Sequence, residues 1–250
     1  MTAPVLSVRD LNKAFGAIVV AQGINVDLAA GARVGLIGPN GAGKTTFVNL
    51  LTGFLTPDSG TIEMAGISIE RARPEDRVRC GLARTHQINA LLMESSVRDN
   101  VAIAIAERER YAWRAIRYTR QWRQCLDEAQ DRLHEIGLGC ASNREVRHLS
   151  YGEQRLLEIA IALALKPKVL LLDEPGAGIP ASEAHVIHEV LGRLPAEIAI
   201  LIVEHDMELI FRFAREIIVL VQGRLLMRGT PSEISSNPEV RAVYLGQTIA

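Results

Sequence analysis

The octapeptide Gly38-Pro39-Asn40-Gly41-Ala42-Gly43-Lys44-Thr45 constrains the fold more tightly than any other stretch of the chain. It fits the pattern G-x-x-x-x-G-K-[ST], follows the apolar run Val34-Gly35-Leu36-Ile37 and precedes the helix-compatible Thr46-Phe47-Val48-Asn49-Leu50-Leu51, so strand, loop and helix come in the required order. Gly38, Gly41 and Gly43 remove side chains that would block an anion and let successive N–H groups turn toward phosphate. A helix starting near Lys44 adds the positive end of its dipole. Lys44 can reach the outer phosphates as a point charge, and the Thr45 hydroxyl is a natural ligand for Mg²⁺. Pro39, Asn40, Ala42 and Thr46 belong to the same phosphate-binding turn.

With 250 residues there is room for one large domain, or for a core with a smaller subdomain. Apolar residues at 48% and charged residues at 23% fit a globular chain and argue against disorder. A formal net charge of −1 gives no global attraction to nucleic acid or anionic lipid, so no nucleic-acid partner is expected. Cys80, Cys125 and Cys140 have neither metal-site nor disulfide spacing and read as free thiols in a reducing compartment. No secretory signal opens the chain, and its strongest apolar run, Ile198-Ala199-Ile200-Leu201-Ile202-Val203, has the length of a strand. A cytoplasmic location is expected, and a membrane process would need another subunit to span.

Before the phosphate loop, Val5-Leu6-Ser7-Val8, Ile18-Val19-Val20 and Ile24-Asn25-Val26-Asp27-Leu28 read as short strands of an antiparallel layer. Phe15 falls in a loop between them and can serve either to stack on a base or to fill a small core. Residues 71–79 read as a charged, solvated connection. Residues 95–149 read as helices, with Ser96 as a cap. There Arg108, Arg110, Arg114, Arg117, Arg120 and Arg123 interleave with Tyr111, Trp113, Tyr118 and Trp122 as a solvated face with aromatic anchors at a subdomain or subunit contact. An amphipathic helix over 154–165, a helix over 182–194, a strand pair near 217–220 and 224–227 and a final helix over 232–245 complete an α/β pattern.

In open α/β sheets, ligands gather at the carboxyl ends of strands. The buried-type run Val169-Leu170-Leu171-Leu172 ends in Asp173, which can supply a second Mg²⁺ contact, and Glu174, which can orient or deprotonate an attacking water. The same pair also suits a turn before Pro175. His205 ends the next buried strand, where it can bond a γ-phosphate or remain a satisfied, partly buried imidazole. Gln87 can be a loop amide or a sensor of Mg²⁺ and water. Ser150 and the amides around Gly152, in Leu149-Ser150-Tyr151-Gly152-Glu153-Gln154, form a second anion-binding cap. Two such sites in one chain suggest that the second closes over a nucleotide held by a partner.

Taken together, these residues resemble the ATP-binding subunit of ATP-binding-cassette (ABC) transporters over essentially the whole chain. The resemblance assigns Gly38 to Thr45 as Walker A, Gln87 as the Q-loop, 149–154 as a variant of the L-S-G-G-Q signature, Val169 to Asp173 as Walker B and His205 as the switch. It implies a P-loop NTPase core of mainly parallel sheet flanked by helices, formed by residues 1–87 and 155–250, with an antiparallel β subdomain and a helical subdomain at 88–154. It also implies a head-to-tail dimer sandwiching two ATP molecules with Mg²⁺, so that Ser150, Tyr151, Gly152 and Glu153 serve the other subunit's nucleotide. Phe15 would stack on adenine. Transmembrane permease subunits and, indirectly, a solute-binding protein are the implied partners.

Finer cues, Gly81-Leu82-Ala83-Arg84-Thr85-His86-Gln87, Val203-Glu204-His205-Asp206-Met207 and the tail at 240–246, look like importers of branched-chain amino acids, whose relatives carry urea, amides or aromatic acids. An exporter motor of the lipopolysaccharide type and a soluble ABC ATPase share the same chemistry. His86 replaces the usual Phe before the Q-loop glutamine, a change of packing. Pro180 stands where the D-loop of the family carries Asp or Asn; without an N–H or polar side chain it implies weaker coupling between the two ATP sites, or slow hydrolysis. Unchanged ATPase rate and cooperativity in Pro180→Asn would contradict this.

Overall fold

The computed structural model describes residues 3–85, 91–111, 120–179 and 181–245. Gln87 and Pro180 lie outside them, as do Trp113, Arg114, Arg117 and Tyr118 of the arginine and aromatic belt.

Two sheets share the molecule. The first is antiparallel, in the order β2 (Ile18–Leu28), β1 (Leu6–Phe15), β4 (Ser59–Met64) and β5 (Ile67–Ser68). The second has the order β10 (Arg224–Gly229), β9 (Glu216–Val221), β3 (Arg33–Ile37), β8 (Ala199–Val203), β7 (Val169–Asp173) and β6 (Leu82–Arg84). All its pairings are parallel except β9 with β10. Around the sheets lie α1 (Lys44–Thr52), α2 (Pro74–Arg79), α3 (Val97–Arg108), α4 (Arg120–Glu135), α5 (Tyr151–Ala164), α6 (Ala181–Arg193), α7 (Met207–Phe213), α8 (Pro231–Ser236) and α9 (Pro238–Leu245).

The unbroken aliphatic runs of β7 and β8 follow from burial on both faces. Leu170, Leu172, Ile200 and Ile202 enter a core shared with α3 to α7, whereas Val169, Leu171, Leu201 and Val203 enter one shared with α1 and the antiparallel sheet. Among the described residues no helix is long and apolar enough to cross a membrane.

Several sequence expectations are corrected. The early short strands are two long ones, β1 and β2, whose register shifts between Val8 and Ala14 break up the apolar pattern. Phe15 ends β1, opposite Ile18, rather than lying in a loop. Gly139–Ala141 and Val146–His148 form short 3₁₀ turns rather than α-helix. The helix expected over 154–165 starts earlier, at Tyr151, because Ser150 caps it. The last helix is split at Asn237, where Pro238 starts a new one.

The charged segment 71–79 is the largest departure. It holds α2, and Arg77 is only 1% exposed. Its guanidinium donates to Leu50 O and Leu51 O at 2.5 and 2.7 Å, and to Ala72 O and Glu70 O at 3.0 and 2.8 Å. Arg77 therefore caps the C-terminal turn of α1, where carbonyls lack helical partners and cations are favoured. Arg108 also leaves the solvated face assigned to it, pairing with Glu128 at 2.7 Å and donating to Ala164 O at 2.6 Å, so it joins α3, α4 and the end of α5. Tyr111 and Trp122 pack against the core as anchors.

Candidate active site

The phosphate loop is held in shape by its neighbours before any ligand arrives. Gly43 sits at φ 100° as the cap of α1, and a Cβ there would lie 2.5 Å from Val20 O. A Cβ on Gly38 would lie 2.2 Å from Leu220 O, so β2 and β9 approach from both sides and only glycine fits. The Gly223 amide donates to Ala42 O at 2.9 Å, tying the loop to the turn before β10. On the outer side, Pro39, Asn40, Gly41 and Ala42 meet Ala242 and Val243 of α9 across a cavity of about 420 Å³.

Lys44 is 7% exposed and folds onto its own loop, donating to Gly38 O at 2.6 Å and Pro39 O at 3.1 Å. Burial lowers its pKa below the usual lysine range, while the charges of Glu174 and Asp173 pull the other way. The loop lysine and both strand-end carboxylates therefore share one electrostatic neighbourhood. Thr45 and Thr46 follow at the head of α1, with Thr45 exposed. Phe15 is 49% exposed at the tip of the β1–β2 hairpin, beside exposed Ile18 and Val19, and Lys13 Nζ lies 5.6 Å from its ring centre. Because Val20 touches Gly43, this apolar tip flanks the phosphate loop.

At the end of β7, Asp173 is 3% exposed and takes a 2.6 Å ion pair from Arg84, whose other nitrogen donates to Asn49 Oδ1 of α1 at 2.7 Å. Glu174 follows at φ 47°, a left-handed conformation that non-glycine residues keep only when their surroundings impose it. Those surroundings are specific. Its amide donates to Val203 O at 2.8 Å; its carbonyl accepts from the Ala177 amide at 3.0 Å and from Arg155 Nη2 at 3.4 Å. Its carboxylate Oε1 lies 3.0 Å from His205 Nε2. Buried Glu204 closes the clamp, accepting from the Gly176 amide at 2.8 Å and the His205 amide at 2.9 Å, and so binding the loop after β7 to the loop after β8.

Ser150 caps α5 in a capping box: its hydroxyl accepts from the Glu153 amide at 3.2 Å, and its amide donates to Glu153 Oε2 at 2.8 Å. Glu153 also pairs with Arg144 at 3.3 Å. Tyr151 is exposed, and Gly178 approaches so closely that a Cβ there would sit 3.3 Å from the Tyr151 ring. Gly152 lies buried one residue further along α5. As a whole, α5 packs with α3, α4, α6 and β6.

The structure thus gathers Lys44, Asp173, Glu174 and His205, sets Phe15 beside the loop, and places Ser150 to Glu153 at the start of α5, where Tyr151 adjoins Gly178 of the loop after β7. Sequence reading missed Arg84, Arg155, Glu158 and Glu204. Arg155 and Glu158 are the charged residues of an otherwise aliphatic stretch of α5, a signal for buried ionic chemistry. They pair at 2.6 Å, and burial pushes the Glu158 carboxyl above its usual range although Arg155 draws it down.

A Mg²⁺ shared with phosphates keeps several waters and needs only one or two protein groups. Among the described residues no group of three His, Cys, Asp or Glu gathers for a metal. An exposed Thr45 hydroxyl and the strand-end Asp173 fit the shared kind of site.

Comparison with known proteins agrees with this geometry. Residues 21–177 match the ABC transporter family, and residues 224–249 match the family "Branched-chain amino acid ATP-binding cassette transporter". The chain is 38% identical to the high-affinity branched-chain amino acid transport ATP-binding protein LivG of Escherichia coli K12, covering 99% of this chain and 100% of that one. It is 35% identical to the corresponding BraF of Pseudomonas aeruginosa, with 99% and 100% coverage. A crystal structure of the ADP conformation of an ABC transporter cassette superposes with a TM-score of 0.85 at 28% identity, covering 98% of this chain and 100% of that one. The chain belongs to the ABC transporter family, as one of its ATP-hydrolysing cassettes.

Proposed function

We propose that this ATPase drives an importer of branched-chain amino acids or a related small solute, from the inner face of the cell membrane. Two cassettes, alike or not, close head to tail over two ATP molecules. The phosphate loop of one, with Lys44 and Thr45, binds the triphosphate; Ser150, Tyr151, Gly152 and Glu153 of the other complete the site. Phe15 stacks on the adenine. Thr45, Asp173 and Gln87 would hold a Mg²⁺, which would supply positive charge to offset that of the triphosphate. Glu174 orients the attacking water and takes its proton as the water oxygen bonds to the γ-phosphorus and the bond to ADP breaks. His205 steadies that carboxylate.

The observation that carries this reading is the Glu174 carboxylate, fixed in a left-handed turn 3.0 Å from His205 and in the field of Lys44. The cap at the start of α5, a second anion-binding helix start in the same chain, supports a site completed by a second cassette. The C-terminal match over 224–249 favours the amino-acid importer group over an exporter. Core and insert, divided at 88–154, would move against each other as the dimer closes, with Gln87 carrying the motion to permease subunits.

Co-expression with the permease and solute-binding protein genes beside its own should give a complex that co-purifies, with solute-stimulated ATP hydrolysis. An ATPase that co-purifies with no permease and ignores every amino acid offered would overturn the reading.

A further inference from the structure

Glu174 keeps an unfavourable backbone conformation, and its carbonyl accepts from a side chain of a different element. Arg155 extends from α5 to reach Glu174 O at 3.4 Å through Nη2, while Nη1 is gripped by Glu158 Oε2 at 2.6 Å. Its guanidinium carbon also lies 5.9 Å from the centre of the Tyr151 ring. One rigid fork therefore touches the catalytic turn and the exposed tyrosine of the signature. Glu158 is 8% exposed, and its second oxygen has no hydrogen-bond partner among the described residues. A buried carboxylate in that state holds its one cation strongly, because losing the partner would leave the charge stranded.

We infer that Arg155 is a positioning residue for ATP hydrolysis, anchored by Glu158, which holds the Glu174 peptide so that its carboxylate faces the attacking water. Arg155 touches no reacting atom; its bond to the carbonyl constrains ψ of Glu174, while the bond from the Glu174 amide to Val203 O holds the other side of the residue. Through Tyr151 the same side chain links this turn to the start of α5. Glu158 lines a cleft of about 290 Å³ together with Thr85, Arg84, Phe54 and Ile161, so the anchor is seated in the wall of a groove between α1, α2 and α5.

The inference rests on Glu174 serving the water. The test compares Arg155→Met, Arg155→Lys, Glu158→Gln and Glu174→Gln in the purified full-length protein, reading kcat, KM for ATP, affinity for a fluorescent ATP analogue and melting temperature. Arg155→Met should lower kcat by roughly tenfold or more with KM and analogue affinity within about twofold, since misorienting a catalytic group costs rate rather than binding. Arg155→Lys, which keeps the charge but loses the fork, should recover part of kcat. Glu158→Gln should lower kcat less, and Arg155→Met/Glu158→Gln should be no slower than Arg155→Met alone, because Glu158 acts only through Arg155.

Unchanged kcat in Arg155→Met, or additive losses in the double variant, would overturn the inference. So would a loss in melting temperature alone. If Arg155→Met does not fold, Arg155→Lys and Glu158→Gln carry the same comparison. Normal turnover in Glu174→Gln would instead overturn the role given to Glu174, which separates the two failures.

Discussion

Replacing Arg77 by Met should destabilise the whole chain, although the residue lies in a segment whose composition reads as solvated surface. The side chain is 1% exposed and satisfies four carbonyls, two of them, Leu50 O and Leu51 O, in the last turn of the helix that begins at the phosphate loop. Met keeps the apolar stem and removes the guanidinium. Each buried carbonyl left without its donor costs about 1–3 kcal/mol. Removing the charge also relieves the burial penalty that lowers the pKa of Arg77. Counting the two helix-end carbonyls and letting that relief offset the other two gives a net loss of about 2–6 kcal/mol. For a chain of this size that is a fall in melting temperature of about 4–24 °C. Calorimetry and urea titration measure it. A shift below about 2 °C would mean that α1 ends stably without the arginine, and the capping argument would fail.

Arg84→Met should cost about 3–5 kcal/mol in urea unfolding, because Asp173 would be left buried without its cation, and Arg84→Met/Asp173→Asn should recover most of that loss. A single variant as stable as the wild type would show that the pair contributes nothing. The hydrogen bond from Arg108, with help from Lys166, holds the Glu128 carboxyl down at about 2, against 4.5 for an ordinary glutamate. Its folded value is depressed, so its stabilisation is present above about 4.5 and lost as pH falls toward about 2. Glu128→Gln should therefore lower the melting temperature at neutral pH, and below pH 4.5 should lose less on further acidification than the wild type does. Parallel melting curves for the two proteins would contradict this.

How legible each feature was in the sequence depended on how local its physics is. The phosphate loop, the twin aliphatic strands β7 and β8 and the cap at Ser96 are written in consecutive residues, and each lies where the pattern put it. Arg77 was illegible because a run of charges reads as surface; its acceptors on α1 lie 26 and 27 positions away. The Arg84 to Asp173 pair spans 89 positions and forms only because the parallel register sets β6 beside β7. Phe15 was misplaced because the register shifts in β1 hide the strand's alternation. Asp173, Glu174 and His205 lie at or just after strand ends, where the local pattern puts them, whereas Arg155 and Glu204, which bond the loop after β7, carry no local motif.

The central claim is that Glu174, held in its left-handed turn against His205, handles the water that attacks ATP. Steady-state hydrolysis by Glu174→Gln, with ATP binding measured on the same preparation, tests it most directly. The account predicts a loss of about 10²-fold or more in kcat with ATP affinity retained. Turnover within about threefold of the wild type would contradict it.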